Sequence, residues 1–252
     1  MDSKIALITG GSRGLGRNAA FHLARKGNDI IITYHSKKEE AEAVVREIES
    51  LGRRAAAIQS DVGDIKAIDS FIAEVSKVLH EKWGRDRFDF LINNAGHGAS
   101  IPFATATEAD FDRFTDVHFK GVFFLTQKAL AIMNDGGSIV NLSSGTTRFA
   151  NPGYSIYASM KGAVEVLTKY LAKDLGARGI SVNIVAPGPV ETDFNNAAIR
   201  SNAVFKERLA GMTALGRVGE PDDIGGVIAF LCSPEGHWIN GQRIEASGGI
   251  NL

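Results

Sequence analysis

Cysteine is almost absent: one residue of 252. A single thiol excludes an intrachain disulfide framework and a cysteine-based zinc cluster, and it fits a reducing compartment. Cys232 follows the apolar run 227–231 and reads as a small core residue rather than a nucleophile. An excess of charge of one sign is also missing. The 28 Lys and Arg nearly balance the 29 Asp and Glu, giving a formal net charge of −1, and the two signs are interspersed. No basic stripe is left to attract nucleic acid or an anionic membrane. Long hydrophobic runs are lacking too. The first apolar stretch, residues 5–8, meets a glycine-rich turn after four residues, far short of a signal-peptide core or a membrane span. These absences predict a cytoplasmic protein whose partner is a small molecule, not nucleic acid or a membrane.

Proline is sparse as well, with six in the chain, and no Pro-rich or Ser-rich linker or charge block divides it. A single domain over residues 1–252 is expected. Hydrophobic residues make up 44% and charged residues 23%, close to globular averages, so the chain can bury a sizeable core. The six histidines lack metal-ligand spacing and carboxylate-rich partners, and no catalytic metal is expected. His97 reads as a solvent-facing loop residue in preference to a pocket residue.

What is present is alternation. Short runs of β-branched and apolar residues at 4–9, 29–34, 55–59, 88–92, 138–142, 180–185 and 242–245 read as seven strands, with helical periodicity between most of them. This βαβ rhythm requires an α/β fold with a mostly parallel sheet covered by helices on both faces. The longest departure is residues 191–216, where Phe194, Phe205, Leu209 and Met212 interrupt polar sequence. It suits either a surface excursion or a flap over a pocket.

Directly after the first strand come Thr9, Gly10, Gly11, Ser12, Arg13, Gly14, Leu15 and Gly16, opening a helical stretch through Lys26. Glycine permits positive φ and lets backbone amides approach a pyrophosphate at the positive end of a helix. The spacing Gly-x-x-x-Gly-x-Gly between strand and helix predicts a dinucleotide site, with side chains at Gly10 or Gly16 expected to block the phosphate approach. An acidic residue at the end of the second strand would accept from an adenosine ribose 2′-hydroxyl. None is there. Thr33, Tyr34, His35, Ser36 and Lys37 offer hydroxyls and a cation, and Arg13 offers another cation. That chemistry suits a 2′-phosphate, so NADP is preferred and NAD remains possible.

Tyr157 and Lys161 are four residues apart in a segment, 154–178, whose apolar positions suit one long helix, so they share a face. A free tyrosine has a pKa of roughly 10 and needs a nearby cation to act as a base near neutrality. Lys161 supplies one. Ser144 follows the fifth strand, at the carboxyl end where parallel sheets bind ligands. The three describe carbonyl reduction, in which Ser144 orients the carbonyl and Tyr157 protonates its oxygen while the nicotinamide supplies hydride. Tyr34 and Lys38 repeat the spacing, but they span a strand end and a turn and lack a strand-end serine upstream.

With these residues in order, the chain resembles the short-chain dehydrogenase/reductase family in its single-domain branch of about 250 residues. The resemblance covers nearly the whole chain and adds Asp61-Val62, Asn93-Asn94-Ala95-Gly96, Pro187-Gly188 and Thr192. It implies a Rossmann-like, doubly wound parallel sheet of seven strands, an oxidoreductase acting on a carbonyl or secondary alcohol, and a homotetramer. By the same resemblance the cofactor contacts are Gly10, Ser12, Arg13, Gly14, Leu15, Gly16, Tyr34, Ser36, Lys37, Asp61, Val62, Asn94, Ala95, Gly96, Tyr157, Lys161, Pro187, Gly188, Val190 and Thr192. Lys161 is expected to hold the nicotinamide ribose and lower the tyrosine pKa, and residues 191–216 become the substrate flap.

One position departs from the family pattern. In Asp116-Val117-His118-Phe119-Lys120-Gly121, His118 stands where the family usually has asparagine. That asparagine acts chiefly through its backbone carbonyl, which histidine retains, so His118 is expected to keep a fourth catalytic place in the proton relay. A non-catalytic NADP sensor of the same fold is the competing reading. His118 favours it; the intact Ser144, Tyr157 and Lys161 oppose it. Larger epimerase and dehydratase relatives, which carry an added C-terminal substrate domain, do not suit this length. Thioesters, sugars and hydrophobic ketones all remain open as substrates. Phe103, Phe149, Phe194 and Met212 suit a partly apolar pocket. Val164, Leu167, Leu171 and Leu175 fit an intramolecular core and a subunit interface equally well.

Overall fold

The seven runs form one all-parallel sheet in a computed structural model that describes residues 3–252. The strands are β1 (Ile5–Ile8), β2 (Asp29–Tyr34), β3 (Ala55–Gln59), β4 (Phe88–Asn93), β5 (Met133–Leu142), β6 (Ser181–Pro187) and β7 (Arg243–Ala246), in the order β3-β2-β1-β4-β5-β6-β7. This is the expected doubly wound, Rossmann-like topology. The order reverses between β1 and β4, opening a crevice beyond their carboxyl ends.

Strand alternation divides the apolar side chains between two layers. Ala6, Ile8, Ile30 and Ile32 pack under the helices α1 (Gly14–Arg25), α2 (Lys38–Ser50) and α9 (Asp222–Leu231). Ile5, Leu7, Ile31 and Leu91 face α3 (Ile68–Trp83), α5 (Gly121–Ala129) and α6 (Ser155–Asp174). Both faces are covered, so strands such as Ile5–Ile8 are buried throughout, as a parallel sheet requires. Cys232 lies buried in the first layer, and burial pushes its thiol up to about 12.

The structure shifts several strand ends by one or two residues from the sequence reading and differs further in β5 and in the helix of 154–178. β5 begins at Met133 rather than Ser138, and its pairing with β4 shifts register between Phe88 and Phe90. The added segment, Asn-Asp-Gly-Gly, lacks the apolar pattern that marks a strand. The helix of 154–178 ends at Asp174 and tightens into a turn at Gly176–Arg178, closed by Gly179 at φ 63°. The glycine adopts the left-handed conformation that ends such turns without a Cβ penalty.

Between β4 and β5 the chain forms α4 (Glu108–Thr115), a π-helical turn at Asp116–Lys120 and α5. Between β6 and β7, residues 191–216 contribute α7 (Phe194–Ser201) and α8 (Ala203–Gly211). No helix of the described residues is long and apolar enough to cross a membrane, and no group of three or more metal-ligating side chains occurs among them.

Candidate active site

The crevice opens into a cleft of about 730 Å³. Its floor begins at the glycine turn, where Gly10 and Gly14 take φ of 65° and 56°. Asn94 ties this turn to the end of β4: its Nδ2 donates to the carbonyls of Thr9 at 2.8 Å and Gly10 at 3.0 Å. Thr9 Oγ1 in return accepts from the amides of Asn94 and Ala95, each at 3.0 Å. These bonds satisfy the loops' polar groups and hold the two strand ends together.

Two glycines act differently from the sequence expectation. A Cβ on Gly10 would meet Ala95 Cα at 2.9 Å, and one on Gly16 would overlap the Gly10 carbonyl and Asn94 Nδ2. A side chain at either position would therefore collide first with the protein, before reaching any phosphate. Gly16 does not line the cleft. The other expected cofactor residues do: Ser12, Arg13 and Leu15 from the turn, Tyr34, Ser36 and Lys37 from the end of β2, and Asp61 and Val62 after β3. Ala95 and Gly96 follow β4, while Pro187 ends β6 and Gly188, Val190 and Thr192 follow it. The donors, cations and positive-φ glycines make a cradle suited to a dinucleotide with an added phosphate.

Ser144, Tyr157 and Lys161 converge at the other end of the same cleft. Ser144 Oγ accepts from the Thr146 hydroxyl at 3.0 Å and more weakly from the Thr146 amide at 3.3 Å, leaving its own proton to donate. Tyr157 and Lys161 lie one turn apart near the start of α6. Lys161 Nζ donates to the Leu142 carbonyl at 2.8 Å and stands 5.7 Å from the centre of the Tyr157 ring.

Burial pushes the Tyr157 phenol up to about 12, opposed by its hydrogen bond with Ser144. Burial also draws the Lys161 ammonium down to about 8. Desolvation disfavours both charged forms. Tyr157 is thus held as a protonated acid.

His118 sits in the π-helical turn, fully buried. Gly121 closes that turn by donating to the Asp116 carbonyl five residues earlier. His118 Nε2 lies 2.8 Å from the His97 carbonyl, which can only accept, so Nε2 carries the proton. Burial first, and the Lys161 charge second, hold the imidazole down to about 2, so it is neutral. Nδ1 is buried without a partner among the described residues. The ring stacks on Phe114 with centroids 5.5 Å apart, and a Cβ on Gly96 would meet its Cε1 at 2.7 Å.

His97 is not solvent-facing: it is half-buried against Phe114 at 4.6 Å and borders the cleft. Phe149, Phe194 and Met212 line the cleft as expected, but Phe103 is 84% exposed and lies away from it. Phe194 packs 6.2 Å from the Tyr157 ring, and Asn195 Nδ2 donates to the Tyr154 hydroxyl at 2.7 Å. Phe205 and Leu209 of the expected flap line the cleft too, as do Tyr154 and Val117, which were not among the sequence candidates. Tyr154, three residues before Tyr157 and so near its helical face, carried a usable signal. Val117 lies in the π-helical turn, whose place beside the cleft spacing does not report.

A dinucleotide cradle joined to a Ser, Tyr and Lys cluster at the switch point of a parallel sheet defines a nicotinamide-dependent oxidoreductase. The chain belongs to the short-chain dehydrogenase/reductase family of NAD(P)-dependent enzymes: the model of the family described as enoyl-(acyl carrier protein) reductase matches residues 10–251. It is 38% identical over 252 residues to the 3-oxoacyl-[acyl-carrier-protein] reductase FabG of Staphylococcus aureus, covering 99% of each. It is 36% identical to the hydroxynaphthalene reductase-like protein Arp2 of Metarhizium brunneum, covering 98% of this chain and 94% of that one. Among solved structures, the angucycline C-6 ketoreductase LanV with bound NADP superposes with a TM-score of 0.94 at 38% identity, covering 99% of this chain and 96% of LanV.

Proposed function

We propose that the protein is an NADPH-dependent reductase of bulky, largely apolar ketones, in which Ser144 orients the carbonyl and Tyr157 protonates it. The observation that carries this reading is the meeting of Ser144, Tyr157 and Lys161 in one cleft with the glycine turn. The bound nicotinamide supplies the hydride. Ser144, its oxygen already accepting from Thr146, donates to the substrate oxygen. Tyr157, protonated because it is buried, gives that oxygen its proton. Lys161 spends one donor on Leu142 and directs the others to the nicotinamide ribose, placing a cation beside the phenolate that remains.

NADP is favoured because Arg13, Ser36 and Lys37 line the adenosine end of the cleft and no acid ends β2. Binding of NADP by LanV supports the same choice. The ketone end is walled by Phe149, Phe194, Ile199, Phe205, Leu209 and Met212. Dispersion and burial on such a wall favour a broad apolar substrate over a sugar. LanV has also been solved with NADP and rabelomycin, in keeping with that wall. Residues 191–216 act as the flap over this end of a single-domain, cytoplasmic enzyme.

A homotetramer is the proposed assembly. Val164 and Leu175 are spent in the core, but Phe123, Phe124, Val166 and Tyr170 leave an exposed apolar face on α5 and α6. The test is a carbonyl panel followed by NADPH absorbance: turnover of polycyclic or aryl ketones, abolished by Tyr157→Phe, is expected. Cofactor binding without turnover of any carbonyl would refute the reading.

A further inference from the structure

Behind Ser144 lies a charged network that the acid/base reading leaves unused. Glu165 stands one turn beyond Lys161 on α6, and its Oε1 accepts from three groups: Ser143 Oγ at 2.5 Å, Thr147 Oγ1 at 2.7 Å and Arg243 Nε at 2.8 Å. Arg243, on β7, also donates to Thr147 Oγ1 at 3.1 Å and to the Ser144 carbonyl at 3.3 Å. Its third nitrogen reaches Glu245 at 2.8 Å. One guanidinium thus bridges the catalytic-serine loop, the helix bearing Tyr157 and the edge strand.

The network continues toward the flap. Arg148, four residues after Ser144, makes a forked pair with Glu245 at 2.8 and 2.9 Å. It also donates to the carbonyl of Asn251 at 3.0 Å and to that of Ile250. Ile250 borders the cleft, and its segment is zipped to the end of the flap: Ala214 and Leu215 donate to Gly249 and Gly248, and Asn251 donates to Met212. Arg148 first, with Arg243 and Ser247, holds the Glu245 carboxyl down to about 2, so the pairs stay ionised across the working range. Forked Arg–carboxylate pairs fix direction as well as distance.

We infer that Glu165 and Arg243 are positioning residues for the Ser144 hydroxyl, and that Arg148 couples that hydroxyl to the flap through residues 248–251. A flap that docks on substrate pulls on Met212–Leu215, and the segment 248–251, bonded to the flap and to Arg148 through neighbouring residues, transmits that position to Arg148 and the serine loop. Positioning within a fraction of an ångström matters because a misplaced hydrogen-bond donor loses most of its effect on the developing oxyanion. The inference rests on the proposed role of Ser144.

A mutant cycle in the intact protein tests it. Glu165→Gln and Arg243→Gln are each expected to lower kcat for ketone reduction about tenfold with the KM for NADPH unchanged, as loss of an interaction made in the transition state does. In a Ser144→Ala background the same substitutions should cost less than about twofold, because the hydroxyl they position is gone. Ser143→Ala, a smaller change that removes only one donor to Glu165, should show the same non-additivity if Glu165→Gln folds poorly. Arg148→Gln should also raise the ketone KM by about tenfold, whereas Glu165→Gln leaves it unchanged. Equal losses in both backgrounds, with Ser144→Ala itself defective, would overturn the positioning role alone. Wild-type turnover of Ser144→Ala would overturn the role of Ser144 and this inference with it. An unchanged ketone KM in Arg148→Gln would remove the link to the flap.

Discussion

The imidazole of His118 stands edge-on to the phenol of Tyr157, ring centroids 5.2 Å apart and planes at 86°. The ring that departs from the family pattern thus contacts the proposed acid directly, as an apolar wall rather than a charged partner. Its protonated nitrogen is committed to the His97 carbonyl, and the ring is neutral at ordinary pH. The side chain packs against Phe114 and Tyr157.

His118→Asn is therefore expected to leave ketone turnover within about tenfold of the parent, roughly 1.4 kcal/mol in barrier height. Steady-state kinetics with NADPH measure it. A loss of a thousandfold would give the imidazole a chemical role of its own.

The same ring makes stability depend on pH. The folded-state value of about 2 lies below the ordinary 6.5, so acid protonates His118 in the unfolded chain first. Its contribution is fully present above pH 6.5 and falls as pH drops from there toward 2. The loss should be about 1 kcal/mol between pH 6.5 and 5.5. Denaturant titrations of the parent and His118→Gln at those two pH values should differ by that amount, the variant being the less sensitive to acid. Identical pH slopes would mean that the ring protonates in the native state.

Gly96→Ala should be costly because the new Cβ would press on His118 Cε1 at 2.7 Å, and the buried ring has no room to yield. Overpacking of this kind costs about 1–3 kcal/mol. In the His118→Asn background the shorter side chain should relieve most of it. Melting curves of the single and double variants test the pair, and strict additivity would place the strain elsewhere.

Ketone reduction should hold a plateau from about pH 6 to pH 7, fall to about half near pH 8 and decline further above it. The Tyr157 phenol, up at about 12, stays protonated throughout, whereas Lys161, drawn down to about 8, loses its cation as pH rises. A pH profile of kcat/KM reads this, and a plateau undiminished to pH 10 would be the contrary result.

Arg13→Ala combined with Lys37→Ala should raise the KM for NADPH by at least about tenfold and leave that for NADH nearly unchanged, since only the 2′-phosphate needs both cations. Parallel losses with both nucleotides would place the two side chains elsewhere on the cofactor.

The fold was legible because its signals were local. β2 and β3 fall on the predicted residues, since Asp29–Tyr34 and Ala55–Gln59 are unbroken runs between turns. β5 was shortened because Met133 pairs with Phe88 across a register shift, and the intervening Asn134–Gly137 carries no strand pattern that would reveal it. In the site, Ser144, Tyr157 and Lys161 could be assembled from spacing and strand ends. The half-burial of His97 could not, because it depends on Phe114 from another helix. The high value at Tyr157 was equally hidden: spacing shows that Lys161 is near, but only packing shows how completely water is excluded.

The bonds from Asn94 to Thr9 and Gly10 have a temporal side as well. They join segments 84 and 85 residues apart in sequence. During synthesis β1 can pair with β2 early, but its other edge stays open until Phe88–Asn93 has left the ribosome. The nucleotide cradle is therefore assembled late, and a nascent chain ending before β4 should not capture dinucleotide at all.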